Sequence, residues 1–251
     1  MRAWIINIGD ELLSGRVLNW NGFWIAKRLT SLGILVERII VIGDVLEEIS
    51  GVIKEALEKQ IDIVVVTGGL GPTPGDITLE AIAKALGRRL VLNEKALEFV
   101  RSRYEELYRF GLVEKPELNE SRIKMALVPE GADVIYNEIG VAPGVIIHHM
   151  NTKIYALPGV PSEAMYLLEK VIMFLKGRET LTIVEEFIYV KDESSVAESL
   201  REVMRILPEV KIKTYPIGFG QKKMLVMAVA KTKEKALKAL KLLKELLKKS
   251  G

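Results

Sequence analysis

A chain of 251 residues, 49% hydrophobic and 27% charged, is long enough for one large domain or a large one with a smaller companion, and its composition excludes wholesale disorder. Its 36 lysines and arginines against 33 aspartates and glutamates leave a formal charge of +3, too slight to point to nucleic acid or an anionic membrane as partner. Cysteine is absent, which rules out disulfide frameworks, thiolate zinc sites and a cysteine nucleophile.

The opening MRAWIINIGDELL has one basic residue and a short apolar run that meets Asp10 and Glu11, so it predicts a first strand over Ala3–Ile8 rather than a leader peptide. A helix follows from Trp20 to Leu32 with a glycine stop at Gly33, then a second apolar run, Leu35–Ile42, closed by Gly43. Ile49, Val52, Ile53, Ala56 and Leu57 share one helical face, and Ile61–Thr67 is a third continuous apolar segment. Near-continuous apolar strands alternating with amphipathic helices predict a parallel sheet buried on both faces. Further helices are expected over Leu79–Leu86, Glu94–Phe110, briefly after Asn119, and from about Ser162; strands are expected near Val134, over Val145–His148 and over Lys153–Leu157.

At Gly177 and Arg178 the pattern changes to strand, helix, strand, strand, helix. The expected organisation is therefore an α/β/α three-layer domain with a mostly parallel sheet over residues 1–177, and a small α+β domain over 178–251. In the last helix Ala236, Leu240, Leu243 and Leu247 form one face, and its lysines read as a solvated face because no aromatics interleave them. His148 and His149 are neighbours on a strand, point to opposite faces and cannot share one ion. No window approaches about 18 consecutive apolar residues, so a soluble, cytoplasmic protein without a membrane partner is expected.

In a parallel α/β sheet, ligands bind beyond the carboxyl ends of the strands. Three loops reach that edge: Gly9-Asp10-Glu11, Gly43-Asp44, and VVVTGGLGPTPGD, which packs four glycines and two prolines between a strand and a helix start. Glycine lets backbone N–H groups approach a ligand closely, and an amide-lined turn before a helix suits phosphate. The loop lacks the Gly-Lys-Ser/Thr ending of a P-loop, so the charge on bound phosphates has to be balanced by a metal or by distant basic groups. Asp76 stands where a metal ligand belongs; alternatively, Thr73 and Asp76 cap a helix, Asp44 caps another, and Asp10 shapes a turn.

The segment TGGLGPTPGDITLEAIA resembles the signature of the molybdopterin-binding domain superfamily, and within it the CinA-like (competence/damage-inducible) branch. IGDELLSGRVLNWNGFWIAKRLTSLGI, VIGDVLEEI, the Asn119 and Arg122 pair, PEGADVIYNEIGVAPG and LPGVPSE agree with it, over most of residues 1–175, and TYPIGFG resembles the small domain that follows. Two departures stand out. The family usually has an acidic pair in the glycine loop, where this chain has Gly75 as the first member. Full-length bacterial members also carry an amidase domain acting on nicotinamide mononucleotide, and this chain stops before one, so deamidation is not expected.

The resemblance implies a pyrophosphatase that cleaves ADP-ribose, or a related dinucleotide such as FAD, with a divalent Mg, Mn or Co ion, and a homodimer. It places phosphate on Thr67, Gly68, Gly69, Gly71 and Thr73, the metal on Asp44 and Asp76, and the attacking water on one of these carboxylates or on Glu11. Ser14 and Asn19 match ligand-contact positions, although Asn19 equally suits a cap; Pro158, Gly159 and Glu163 complete the pocket, although Pro161 and Ser162 equally suit a plain helix start. Two alternatives stay open: molybdopterin binding or adenylylation in cofactor synthesis, and a non-catalytic nucleotide-binding module that lost activity with the acid at Gly75.

Overall fold

The second residue of the chain begins β1 (Arg2–Ile8), whose side chains from Ala3 onward are buried on both faces. In the computed structural model, which describes residues 1–172, 182–190, 194–218 and 222–249, this strand sits inside a six-stranded sheet. Its neighbours are β2 (Leu35–Ile42) and β3 (Ile63–Thr67), both parallel to it, and β8 (Thr152–Leu157) continues the parallel run beside β3. Then β7 (Gly144–His149) and β6 (Asp133–Ile135) add two antiparallel strands, giving the order β2-β1-β3-β8-β7-β6. The mostly parallel sheet of the expected α/β/α architecture is present.

The two faces follow from strand alternation. Trp4, Ile6, Val64, Val66, Ile154 and Ala156 pack with the apolar stripes of α3 (Leu46–Glu58), α4 (Thr78–Leu86) and α5 (Glu94–Arg109) in one core. The alternate residues Ala3, Ile5, Ile63, Val65 and Tyr155 are buried too. On their side run α2 (Trp20–Ser31) and α7 (Pro161–Ile172), joined by the Arg28–Glu169 ion pair at 2.6 Å.

One strand departs from the expected burial. β2 is the sheet edge, and Leu35 and Ile39 are about half exposed because no strand covers that flank. Three short elements escaped the sequence pattern altogether: α1 (Asp10–Leu13), and the antiparallel ribbon of β4 (Leu90–Leu92) with β5 (Leu127–Pro129). Segments of three or four residues are too short to show a period. The short helix α6 (Glu120–Lys124) starts at Asn119, whose side chain accepts the Arg122 N–H at 3.0 Å.

Contacts gather the chain into two compact units, one of residues 1–29 and 35 onward through α7, the other of residues 30–34 with the C-terminal elements. The boundary expected at 177/178 lies outside the described residues. In the second unit β9 (Thr182–Tyr189) and β10 (Lys211–Pro216) flank β11 (Lys223–Ala230), all antiparallel. Met224, Val226, Ala228 and Ala230 alternate inward onto α8 (Ser194–Ile206) and α9 (Lys233–Lys249), where Ala236, Leu240 and Leu243 are buried. No helix among the described residues is long and apolar enough to cross a membrane.

Candidate functional site

The carboxyl ends of β1, β2, β3 and β8 open on one cavity of about 620 Å³. Glu11 reaches it from the first loop, Asp44 from the second, Gly68 to Asp76 from the third, and Pro158, Gly159 and Glu163 from the fourth; Tyr104 of α5, Met125 and the turn Gly140–Ala142 complete the wall. This is the strand edge at which ligands of such sheets are held.

The glycine loop is held in shape by its own bonds. Gly68 leaves β3 with φ +100°, and a Cβ there would stand 2.2 Å from the Ile8 carbonyl oxygen. Its N–H donates to the Leu157 carbonyl at 3.1 Å, tying the ends of β3 and β8. The Thr78 hydroxyl donates to Gly68 O at 2.8 Å, and Asp76 Oδ2 accepts both the N–H and the hydroxyl of Thr73, at 2.8 and 2.6 Å. From outside the loop, Lys124 donates to the Thr73 carbonyl at 2.5 Å. Among the described residues the amides of Gly69, Leu70, Gly71 and Gly75 find no acceptor, and all four residues line the cavity. Gly68, expected to donate to phosphate, has its amide already engaged.

The helix-cap alternatives do not hold. Helix α4 starts after Ile77 and α3 after Val45, neither with a side-chain cap bond, so Thr73, Asp76 and Asp44 cap nothing. Instead Asp44 and Asp10 brace each other: Asp44 Oδ2 accepts the Asp10 N–H at 3.3 Å and Asp10 Oδ1 accepts the Asp44 N–H at 3.4 Å. Asp10 is the first residue of α1 rather than a turn residue. Burial, and then the neighbouring charges of Asp10, Glu11 and Asp76, raise the Asp44 carboxyl above the ordinary range. Asp44 and Asp76 both line the cavity.

Glu163 is half-buried and accepts a 2.6 Å bond from Asn137 Nδ2, which also donates to Ala142 O at 2.9 Å. Burial raises its carboxyl, opposed by the Asn137 bond and the Arg103 charge. Gly140 packs against it: a Cβ there would meet Glu163 Oε2 at 1.9 Å, so a larger residue would displace the carboxylate.

Three expected contacts fall outside the cavity. Thr67 is buried, its hydroxyl donating to Asn7 Oδ1 at 3.0 Å. Asn19 accepts the Gly22 N–H at 2.8 Å and so starts α2. Ser14 is exposed and donates to the Glu11 carbonyl at 3.3 Å. Conversely, Leu70, Tyr104, Asn137 and Lys124 belong to the site or support it and were not singled out. Asn137 lies in the resembling segment PEGADVIYNEIGVAPG; Lys124 carries no sequence signal, because it reaches the loop across 51 residues.

The family model described as "Probable molybdopterin binding domain" matches residues 4–177. A protein of Pyrococcus furiosus is 45% identical over 221 residues, 88% of this chain and 87% of its own. One of Thermococcus kodakarensis is 44% identical over 221 residues, 88% of each chain. The crystal structure of CinA from Thermoplasma acidophilum, described as of unknown function, is 37% identical and covers 70% of this chain and 99% of its own at a TM-score of 0.63. With the family matched over β1 to α7 and a CinA structure sharing that fold, the chain belongs to the molybdopterin-binding domain family as a CinA-like member.

Proposed function

We propose that the cavity binds a nucleotide diphosphate together with a divalent cation, and that the protein is a metal-dependent pyrophosphatase cleaving ADP-ribose, or a related dinucleotide such as FAD, to AMP and a phosphorylated product. The carrying observation is the make-up of the lining: among the described residues four unengaged amides share the cavity with the carboxylates of Glu11, Asp44, Asp76 and Glu163, and no lysine or arginine lines it. The amides suit phosphate oxygens, and the carboxylates make a cation necessary beside an anionic ligand.

The donor set fits such a cation. Carboxylate oxygens are hard ligands, and a magnesium-type ion is held by one or two of them, by waters and by the substrate's own phosphates. Among the described residues no group of three or more His, Asp or Glu is placed to hold a metal ion. Asp44 and Asp76 would hold it. When bound, the cation neutralises the non-bridging oxygens and lowers the pKa of a water. Gly69, Leu70 and Gly71 would orient the diphosphate, Glu11 or Asp44 the attacking water, and Pro158, Gly159 and Glu163 the rest of the substrate.

Incubation with ADP-ribose and Mg²⁺, Mn²⁺ or Co²⁺ tests this. AMP is expected only with metal, and Asp44→Asn and Asp76→Asn are each expected to lower turnover about a hundredfold, ~2.7 kcal/mol. Full activity in both variants sinks the assignment; tight binding without product favours a non-catalytic module. The family description, a probable molybdopterin binding domain, favours a second reading, molybdopterin binding or adenylylation, which the same assay with ATP and a pterin acceptor separates. A homodimer belongs to the proposal, supported by exposed Leu18, Trp20 and Phe23 at the start of α2; sedimentation velocity checks it.

A further inference from the structure

The sheet of the second unit has one covered face and one open face. Alternate residues of β9, β10 and β11 point to opposite sides, and Ile188, Ile212, Met224 and Val226 are buried in the core that α8 and α9 complete. Their neighbours face away from both helices. There Phe187 is 52% exposed, Tyr189 77% and Tyr215 43%. Lys211 and Lys213 of β10 are exposed on the same face.

Strand register sets these groups in rows. Phe187 and Tyr215 both pair with Leu225, so one row runs aromatic, aliphatic, aromatic across the three strands. Tyr189 pairs with Lys223 in the adjoining row, roughly 7 Å along β9 from Phe187. The Lys223 ammonium stands 4.4 Å from the Phe187 ring centre and 5.8 Å from that of Tyr189. On the far side of Leu225, Lys213 pairs with Met227 and Lys211 with Val229; Glu185 is the one acid among the described residues of this face.

Charge is distributed to match. Residues 178–251 hold 16 lysines and arginines against 10 aspartates and glutamates, a surplus of six, which leaves residues 1–177 net negative by three. The small formal charge of the whole chain therefore conceals a basic C-terminal part, and such asymmetry is a mark of polyanion binders.

Flat rings on a rigid sheet, with ammonium groups between them, suit a strand of unpaired bases: bases stack on the rings and the linking phosphates meet the lysines. An ammonium over an exposed ring is held weakly, so a base that stacks on Phe187 frees Lys223 for the phosphate beside it. A second copy of the chain fits less well, because a twofold contact sets the patch against itself and three lysines against three. A membrane surface takes an amphipathic helix laid flat, which this face is not.

We propose that this open sheet face binds single-stranded nucleic acid, with bases stacked on Phe187, Tyr189 and Tyr215 and phosphates held by Lys211, Lys213 and Lys223. Such binding needs neither the cavity nor a metal, so it stands whether or not the protein hydrolyses ADP-ribose.

Fluorescence anisotropy of the full chain at low salt, with labelled oligo(U) and oligo(dT) of about 12 nucleotides, tests it. Both strands are expected to bind more tightly than an oligo(dA)–oligo(dT) duplex of the same length. The logarithm of affinity is expected to fall against the logarithm of salt concentration with a slope of about −2, as three phosphate contacts to a single strand dictate. Phe187→Ser combined with Tyr189→Ser is expected to weaken binding at least about tenfold. Lys211→Gln combined with Lys213→Gln is expected to reduce the slope to about −0.7. Binding of only one of the two strands supports the site and names its source. No binding of either strand by wild type overturns it, and so does equal binding of the duplex, undiminished binding by an aromatic pair that keeps its thermal transition, or binding of phosphatidylserine vesicles without any oligonucleotide. Should the aromatic pair lose its transition, the salt slope of the lysine pair decides.

Discussion

Gly68 sits in a left-handed conformation with the Ile8 carbonyl where a Cβ would be, so its hydrogen side chain is a requirement of two strand ends meeting. Gly68→Ala combines a strained φ with a backbone clash, and a loss of about 2–4 kcal/mol is expected in urea unfolding. Glu163 makes a different kind of prediction. Burial raises its carboxyl, so the folded protein holds that proton more tightly than the unfolded chain. Its contribution to stability is full below the unfolded carboxylate value and is lost as pH climbs from there through the raised value. Glu163→Gln keeps an acceptor for Asn137 and removes the titration; the melting temperature of the variant is expected to change less than that of wild type between about pH 4 and 7. The sequence pointed to Glu163 through its motif, but not to Asn137 or Gly140, which hold it in place from other elements.

At the scale of elements, α3 shows how a helix can start without its best residue. Asp44 precedes the helix in the sequence and suits a cap, yet its carboxylate is turned to Asp10 and Val45 takes the cap position at φ −120°. Val45 is 44% exposed and caps nothing, so Val45→Ser is expected to stabilise the protein by about 1 kcal/mol, read as a rise in melting temperature with unchanged cavity residues. The element types were legible wherever an apolar period was sustained, as in β1, β3, α4 and α5. The ribbon of β4 and β5 was not, because its two strands are three residues each and lie 35 positions apart, from Leu92 to Leu127.

Over the whole molecule the formal charge is +3, while among the described residues the cavity is lined by four carboxylates and no base. Gly75, exposed and with only Thr73 Oγ1 at 3.8 Å from a Cβ position, leaves room for a fifth. Gly75→Asp is expected to fold normally and to lower the metal concentration for half-maximal hydrolysis about three- to tenfold, measured by metal titration of the AMP-release assay, since added ligand charge strengthens a hard-cation site. What the sequence by itself determined was the layered α/β architecture, the edge of the sheet where loops collect and the family, because apolar periodicity and local glycine motifs are properties of neighbouring residues. Which amides remain unengaged, that Asp44 faces Asp10 instead of its helix, and that Lys124 braces a loop 51 residues away were decided only by tertiary structure. Hydrogen-bond partners are settled by distance in space, and a chain encodes that distance only once it has folded.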